Sequence, residues 1–411
     1  MIQARQVRWG MVRDLCDGVR VGWQGMLLIA LCGVLLLEAP ANGARRHAAP
    51  TAAPHPRTPA KVAGPATPAW IVVNPATGDV LASQEPDRPG APASMTKEML
   101  ALLVMEAVRD GQLKLSDMVQ TSRLASKMGG SQVYLKEGES FPVEEMMAAL
   151  LIGSANDAAV ALAERLTGSV EATVTRMNER AAALKLTQTH FGSVHGLPPS
   201  PGGEGDVTTP RDMARLSQEL IKFPDILRWT SIEEAPFREG TFTLRNSNHL
   251  IGKFPGADGL KTGHFREAGY NVAATAKRGE LRLIAVVMGA PTNAARFADA
   301  ARLLGEGFSR YVEVTVVKAG APLGAEIRLP RAKAAFRAVA NGDLKLMVKR
   351  EEREAIQTTV EIQAGLRAPL EKGQPVGTLT IRVADRQLAR VPVVTPAEVG
   401  RAFFWWLTPW R

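Results

Sequence analysis

Ser94 and Lys97, in the stretch Ala93-Ser94-Met95-Thr96-Lys97-Glu98-Met99-Leu100, have the types and spacing for covalent chemistry. A serine hydroxyl is a poor nucleophile at neutral pH and needs a base within hydrogen-bond reach. A lysine kept neutral by burial or by cationic neighbours can serve where no histidine does. Residues three apart on a helix share a face, so a helix starting here sets the amine beside the hydroxyl. The spacing alone carries little, because Ser-x-x-Lys arises by chance about once or twice in a chain this long. Two later stretches add to it: Gly153-Ser154-Ala155-Asn156-Asp157, then Gly259-Leu260-Lys261-Thr262-Gly263-His264. A Lys-Thr-Gly triplet occurs by chance in roughly one such chain in ten, and the order of the three stretches makes coincidence rarer still.

These residues need elements to hold them. Trp70 to Val73 and Val80 to Ala82 read as strands around a turn at Asn74 to Asp79, and Pro86, Pro89 and Pro92 keep the chain extended up to the serine. From there to about Leu227 the pattern is mostly helical. Ser154 and Asn156 fall at a junction between two apolar helices, which can fix side chains that point into a cleft. Asp157 and Arg165 read as ordinary helix polarity. Around Lys261 the pattern changes to strands, with Ala268 to Ala276 and Leu281 to Met288 forming a hairpin across Lys277-Arg278-Gly279-Glu280. Lys-Thr-Gly on the strand before that hairpin makes a cleft wall, and Asn293 to Gly305 closes the domain as a helix. The fold class is α+β, an antiparallel sheet with a helical subdomain.

The flanks carry other signals. Arg5, Arg8, Arg13 and Arg20 precede an apolar run, Met26 to Leu37, and small residues follow. Residues 1–43 therefore read as an export signal peptide, too short in its apolar part to span a bilayer comfortably. Residues 44–68 form a Pro/Ala-rich linker and 69–310 the catalytic domain. Residues 311–394 show short strand-like runs separated by Gly and Pro, a small all-β domain. Residues 395–411 end in Phe403-Phe404-Trp405-Trp406 and Trp410. On a helical wheel Val399, Phe403, Trp406 and Trp410 share one arc, the mark of an amphipathic helix lying in the membrane interface, with packing on the β domain as the other reading. The formal net charge of +9 is scattered, and no nucleic-acid motif accompanies it, so an acidic envelope or membrane surface is the expected partner and nucleic acid is not. The only cysteines, Cys16 and Cys32, lie in the export segment, and the histidines have no metal-ligand spacing; no metal and no cofactor are expected.

Over about Trp70 to Arg411 the chain resembles the D-alanyl-D-alanine carboxypeptidases among the low-molecular-mass penicillin-binding proteins. Beyond the three motifs, Lys127-Met128-Gly129-Gly130-Ser131, His195-Gly196-Leu197, Thr209-Pro210-Arg211-Asp212-Met213-Ala214 and Asp258-Gly259-Leu260-Lys261-Thr262-Gly263-His264 share the likeness. The resemblance implies a β-lactamase/transpeptidase-like domain on the exported, periplasmic side of the inner membrane. Its substrate is the peptidoglycan pentapeptide stem, and β-lactam antibiotics are its inhibitors. Ser94 becomes the acyl-accepting nucleophile and Lys97 its base. Ser154 and Asn156 relay a proton and hold the substrate amide, and Lys261 supplies positive potential. The backbone N–H groups of Ser94 and His264 form the oxyanion hole. Lys261, Thr262, Gly263 and Arg296 bind the substrate, Thr262 and Arg296 at its terminal carboxylate, although Arg296 also reads as a surface helix arginine. Phe265 stands where the family commonly has a small hydroxyl residue, and Pro198 to Asp206 diverges from the family pattern.

Three rival readings use the same residues. A class A β-lactamase predicts one compact domain and a glutamate-bearing loop, against which the β domain and aromatic tail stand. A non-catalytic envelope-binding protein would not need intact Ser94, Lys97 and Lys261. A D,D-endopeptidase differs only in the size of its leaving group.

Overall fold

In the computed structural model, which describes residues 67–199, 203 and 205–402, the chain opens with a hairpin, β1 (Ala69–Val73) and β2 (Val80–Gln84). A proline-rich turn leads to a short 3-10 helix, Ala93–Thr96, and α1 (Lys97–Arg109) follows at once. The helical subdomain comprises β3 (Met118–Gln120), α2 (Arg123–Ser126), β4 (Ser140–Pro142), α3 (Val143–Leu151), α4 (Asn156–Thr167), α5 (Val170–Ala183), α6 (Pro210–Leu220) and α7 (Pro224–Thr230). The chain returns through β5 (Glu234–Phe237) and β6 (Phe242–Arg245) to three long strands, β7 (Ala257–Phe265), β8 (Gly269–Arg278) and β9 (Leu281–Ala290). It then closes with α8 (Asn293–Arg310).

The antiparallel sheet runs β2-β1-β9-β8-β7, so the first strands pair beside the last and the helices are inserted between them. Side chains alternate across a strand. Ile71, Ala273, Ile284 and Val286 therefore join α1, α3 and α4 in one core, while Val72, Val272, Ala285 and Val287 pack with Phe297, Ala300 and Leu304 of α8 in another. Covering both faces explains why β8 and β9 are mainly apolar on both sides. Helix α1 is buried from Lys97 to Ala107 because α3, α4, α5 and α6 all pack against it.

The second domain contains β10 (Tyr311–Val317), β11 (Pro322–Ile327), β12 (Phe336–Ala340), β13 (Leu344–Lys349), β14 (Ile356–Ile362), β15 (Pro375–Val383) and β16 (Arg386–Val394). One sheet runs β11-β12-β16-β15-β14 and β10 pairs with β13. Strand β12 had no sequence signal, since the Arg/Lys/Ala-rich stretch leading into it shows no alternation.

The expected C-terminal helix requires correction. Residues 395–402 are not helical: Val399 forms a β-bridge with Leu370 and Arg401 with Ala332. Val399 is buried in the β-domain core, so it belongs to that domain and not to a membrane face. Phe403 to Arg411 lie outside the described residues, as do the export segment and nearly all of the linker.

Candidate active site

Ser94 does not sit on an α-helix. It occupies the 3-10 turn, and Lys97 is the first residue of α1. The spacing still works, because positions i and i+3 of a 3-10 turn eclipse one another. Lys97 Nζ lies 2.9 Å from Ser94 Oγ. It donates to Asn156 Oδ1 at 2.7 Å and to the main-chain oxygen of His195 at 2.7 Å. Both are acceptors only. Asn156 is held in that orientation by its Nδ2, which donates to Gly129 O at 2.7 Å. A neutral lysine has two hydrogens and one lone pair, so with its hydrogens on Asn156 and His195 its lone pair faces the serine hydroxyl. Burial, with Lys261 beside it, holds the Lys97 amine well below the ordinary lysine value, against the pull of Asp206 and Asp157.

The facing wall is β7, the edge strand of the sheet. Lys261 Nζ donates to Ser154 Oγ at 2.9 Å and to Thr262 O at 3.1 Å. Burial brings its amine down to about 7, with Glu98 pulling up and Arg296 pushing down. Ser154 has a φ of 59°, a left-handed conformation that the α3–α4 junction imposes and that costs about 1–2 kcal/mol. The Thr262 and Ser247 hydroxyls are 2.7 Å apart. His264 is exposed, and its ring stacks on Tyr270 with 3.8 Å between ring centroids.

Arg296 reaches in from α8, buried and not at the surface. Its Nη1 donates to Gly263 O at 3.1 Å and Asn271 O at 3.0 Å, and its Nε has no partner. Burial lowers it to about 10, so it stays cationic at neutral pH. The structure therefore brings Ser94, Lys97, Ser154, Asn156, Lys261, Thr262, Gly263, His264 and Arg296 around one cleft.

Two glycines set the clearance at the serine turn. A Cβ on Gly263 would sit 2.2 Å from Pro92 O, and one on Gly196 2.0 Å from Ala93 O. Asn271, fully buried, ties the same turn to the sheet. Its Nδ2 donates to Ala91 O and Pro92 O at 2.9 and 3.2 Å, while its Oδ1 accepts from Gly289 N.

Sequence reasoning missed several supports. Asp157 is not ordinary helix polarity; it is buried and accepts from the N–H groups of Val133 and Leu135 at 3.1 and 3.0 Å, pinning the loop above Asn156. Asp206 accepts from Thr96 Oγ1 at 2.8 Å and from Gly192, Ser193 N and Ser193 Oγ, so it anchors the middle of the Ser-x-x-Lys turn. His195 contributes its carbonyl to Lys97, and its ring Nδ1 accepts from Leu197 N at 3.1 Å. Burial and then Lys97 lower that imidazole to about 4, which keeps it neutral. Glu98 turns away toward α6, where Ser217 donates to it at 2.8 Å; burial pushes its carboxyl up to about 8, so it too is neutral at pH 7.

A serine paired with a lysine whose amine burial holds well below its ordinary value, opposite the buried Lys261 and Arg296, defines a serine acyl-transfer site in an α+β fold. A family model described as D-alanyl-D-alanine carboxypeptidase matches residues 57–292, and one described as the C-terminal domain of penicillin-binding protein 5 matches residues 311–401. The chain belongs to the D-alanyl-D-alanine carboxypeptidase family. It is 37% identical over 339 residues to the D-alanyl-D-alanine carboxypeptidase DacF of Bacillus subtilis, covering 81% of this chain and 86% of that relative. Penicillin binding protein 5 from Haemophilus influenzae superposes with a TM-score of 0.69 at 28% identity, over 84% of this chain and 100% of that one. Penicillin-binding protein D2 from Listeria monocytogenes, solved in its ampicillin-bound form, aligns with a TM-score of 0.54 at 34% identity over 60% of this chain and 98% of that one.

Proposed function

We propose that this chain removes the terminal D-alanine from the peptidoglycan pentapeptide through an acyl-enzyme on Ser94, and that penicillins acylate the same oxygen. The observation that carries this reading is the geometry at Lys97 Nζ, with two hydrogens committed to acceptors and Ser94 Oγ in the third direction. Lys97 takes the hydroxyl proton as Oγ bonds to the penultimate D-alanine carbonyl. Negative charge grows on the carbonyl oxygen and is met by the N–H groups of Ser94 and His264. The proton then passes through Lys97 and Ser154 to the leaving nitrogen, and D-alanine departs. Water, deprotonated by Lys97, cleaves the ester. Lys261, Thr262, the Gly263 backbone and Arg296 hold the terminal carboxylate, and Asn156 holds the substrate amide.

The experiment is to incubate the chain from Trp70 with a pentapeptide ending in D-Ala-D-Ala and follow free D-alanine. Release of one D-alanine per peptide is expected. Cleavage of cross-linked dimers with the pentapeptide untouched would replace this reading with an endopeptidase.

The export segment and the tail extend the proposal to location. Residues 1–43 direct the chain to the periplasmic side of the inner membrane, and Phe403, Phe404, Trp405, Trp406 and Trp410 contact the membrane interface. Among the described residues no helix is long and apolar enough to cross a membrane. Because Val399 and Arg401 are bound into the β domain, the informative truncation begins at Phe403 and not at Pro396. That truncation should move the protein from the membrane fraction to the soluble one, and retention in the membrane fraction would remove the tail from consideration.

A further inference from the structure

Tyr134 combines features that do not ordinarily meet. Its side chain is 62% exposed. Its φ is 57°, in the region that suits glycine or asparagine and strains a residue with a bulky side chain. Yet its segment is held on every side. Ser131 O accepts from Asn156 N at 2.7 Å, and Asp157 takes the N–H groups of Val133 and Leu135, the residues flanking Tyr134. Arg238 donates to Tyr134 O at 3.1 Å. On the other side Leu197 closes in, so that a Cβ on Gly130 would lie 3.3 Å from its Cδ2. The ring meets only the edge of Phe242, at 6.1 Å between centroids and 67°, among the ring contacts of the described residues.

A strained residue persists where its surroundings over-determine it, and such residues gather at binding sites. Burial does not account for this one. Its loop is bonded directly to Asn156, the residue that also touches Lys97, so the segment that carries the ring adjoins the wall of the site on a rigid base.

The occupant follows from the reaction and rests on the carboxypeptidase reading. Such a substrate has one residue beyond the scissile bond, and its carboxylate belongs at Thr262 and Arg296. Everything else in a large substrate lies on the acyl side of the scissile bond. We propose that Tyr134 is a specificity-determining contact for the stem peptide that precedes the D-Ala-D-Ala pair. Its apolar ring covers the aliphatic part of that peptide's side chains and its hydroxyl stays in water. Contacts remote from the reacting bond raise the specificity constant for the substrates that reach them.

The test compares kcat/KM for N-acetyl-D-Ala-D-Ala and for a full pentapeptide, in the unmodified chain, Tyr134→Phe and Tyr134→Gly. Glycine suits the left-handed backbone, so Tyr134→Gly should fold with unchanged or higher melting temperature. It should lose about fivefold to tenfold on the pentapeptide, nothing on the acetylated dipeptide and nothing in penicillin acylation, while Tyr134→Phe keeps the pentapeptide rate. Equal loss on both peptides, or loss on neither, overturns the assignment. A loss that appears only when a disaccharide is attached to the pentapeptide also overturns it, by moving the contact to the glycan. If the unmodified chain turns over neither peptide, the carboxypeptidase reading fails and this assignment fails with it.

Discussion

Ser94→Ala is expected to abolish D-alanine release and penicillin acylation together, with rates lower by about ten-thousandfold or more, because no other group can supply the covalent intermediate. Ser94 Oγ has Lys97 Nζ as its hydrogen-bond partner among the described residues. The substitution should therefore leave stability within about 0.5 kcal/mol of the parent, so the loss cannot be traced to unfolding. Labelling with a fluorescent penicillin reads acylation, and thermal melting reads the fold. Persistent labelling of Ser94→Ala at the parent rate would place the nucleophile elsewhere, and Ser154 would then be the first oxygen to test.

Lys97→Arg should cost about a thousandfold in acylation although a cation is kept at that position. A guanidinium does not give up its proton near neutrality, so it offers Ser94 no lone pair. The pH profile of the unmodified chain carries the same point. The Lys97 amine is held well below its ordinary value by burial, which opens the acid limb well below the pH at which a free lysine would act. Lys261 is a cation only below about 7, so acylation in the free enzyme should fall as pH rises through that value. Stopped-flow acylation between pH 5 and pH 10 would decide the matter. A rate that climbs toward pH 10 would mean that the base is an unshifted lysine and that the depressed amine has no part in the step.

Much of this site was legible in the chain because its chemistry is local. Ser94 and Lys97 sit three apart, Ser154 and Asn156 two apart, and Lys261 to His264 are contiguous, so each cluster is positioned by one short local stretch of chain. The sheet was legible too, since β8 and β9 are mostly apolar and flank a hairpin turn. What stayed hidden depends on distant pairing. Asp206 reaches Thr96 across 110 residues, and the Asp157 carboxylate holds Val133, 24 residues earlier; neither aspartate differs in sequence from a surface charge. Tyr134 gave no signal either, because strain is a property of its backbone and not of its residue type. The tail was misread at its start for a related reason. Val399 fits a helical wheel, but its β-bridge to Leu370 decides its place.

The grip of Gly196 and Gly263 on the serine turn bears on how such an enzyme can change under selection. Both approaches are closer than any side chain allows, and each presses backbone against backbone. Neither position can vary while the turn keeps its place, and Asn271 fixes it from behind. A drug and a substrate that share the serine also share its immediate surroundings. Resistance by reshaping the nucleophile's setting is therefore closed at these points, and discrimination between the two molecules has to evolve elsewhere, as at the Tyr134 contact proposed above.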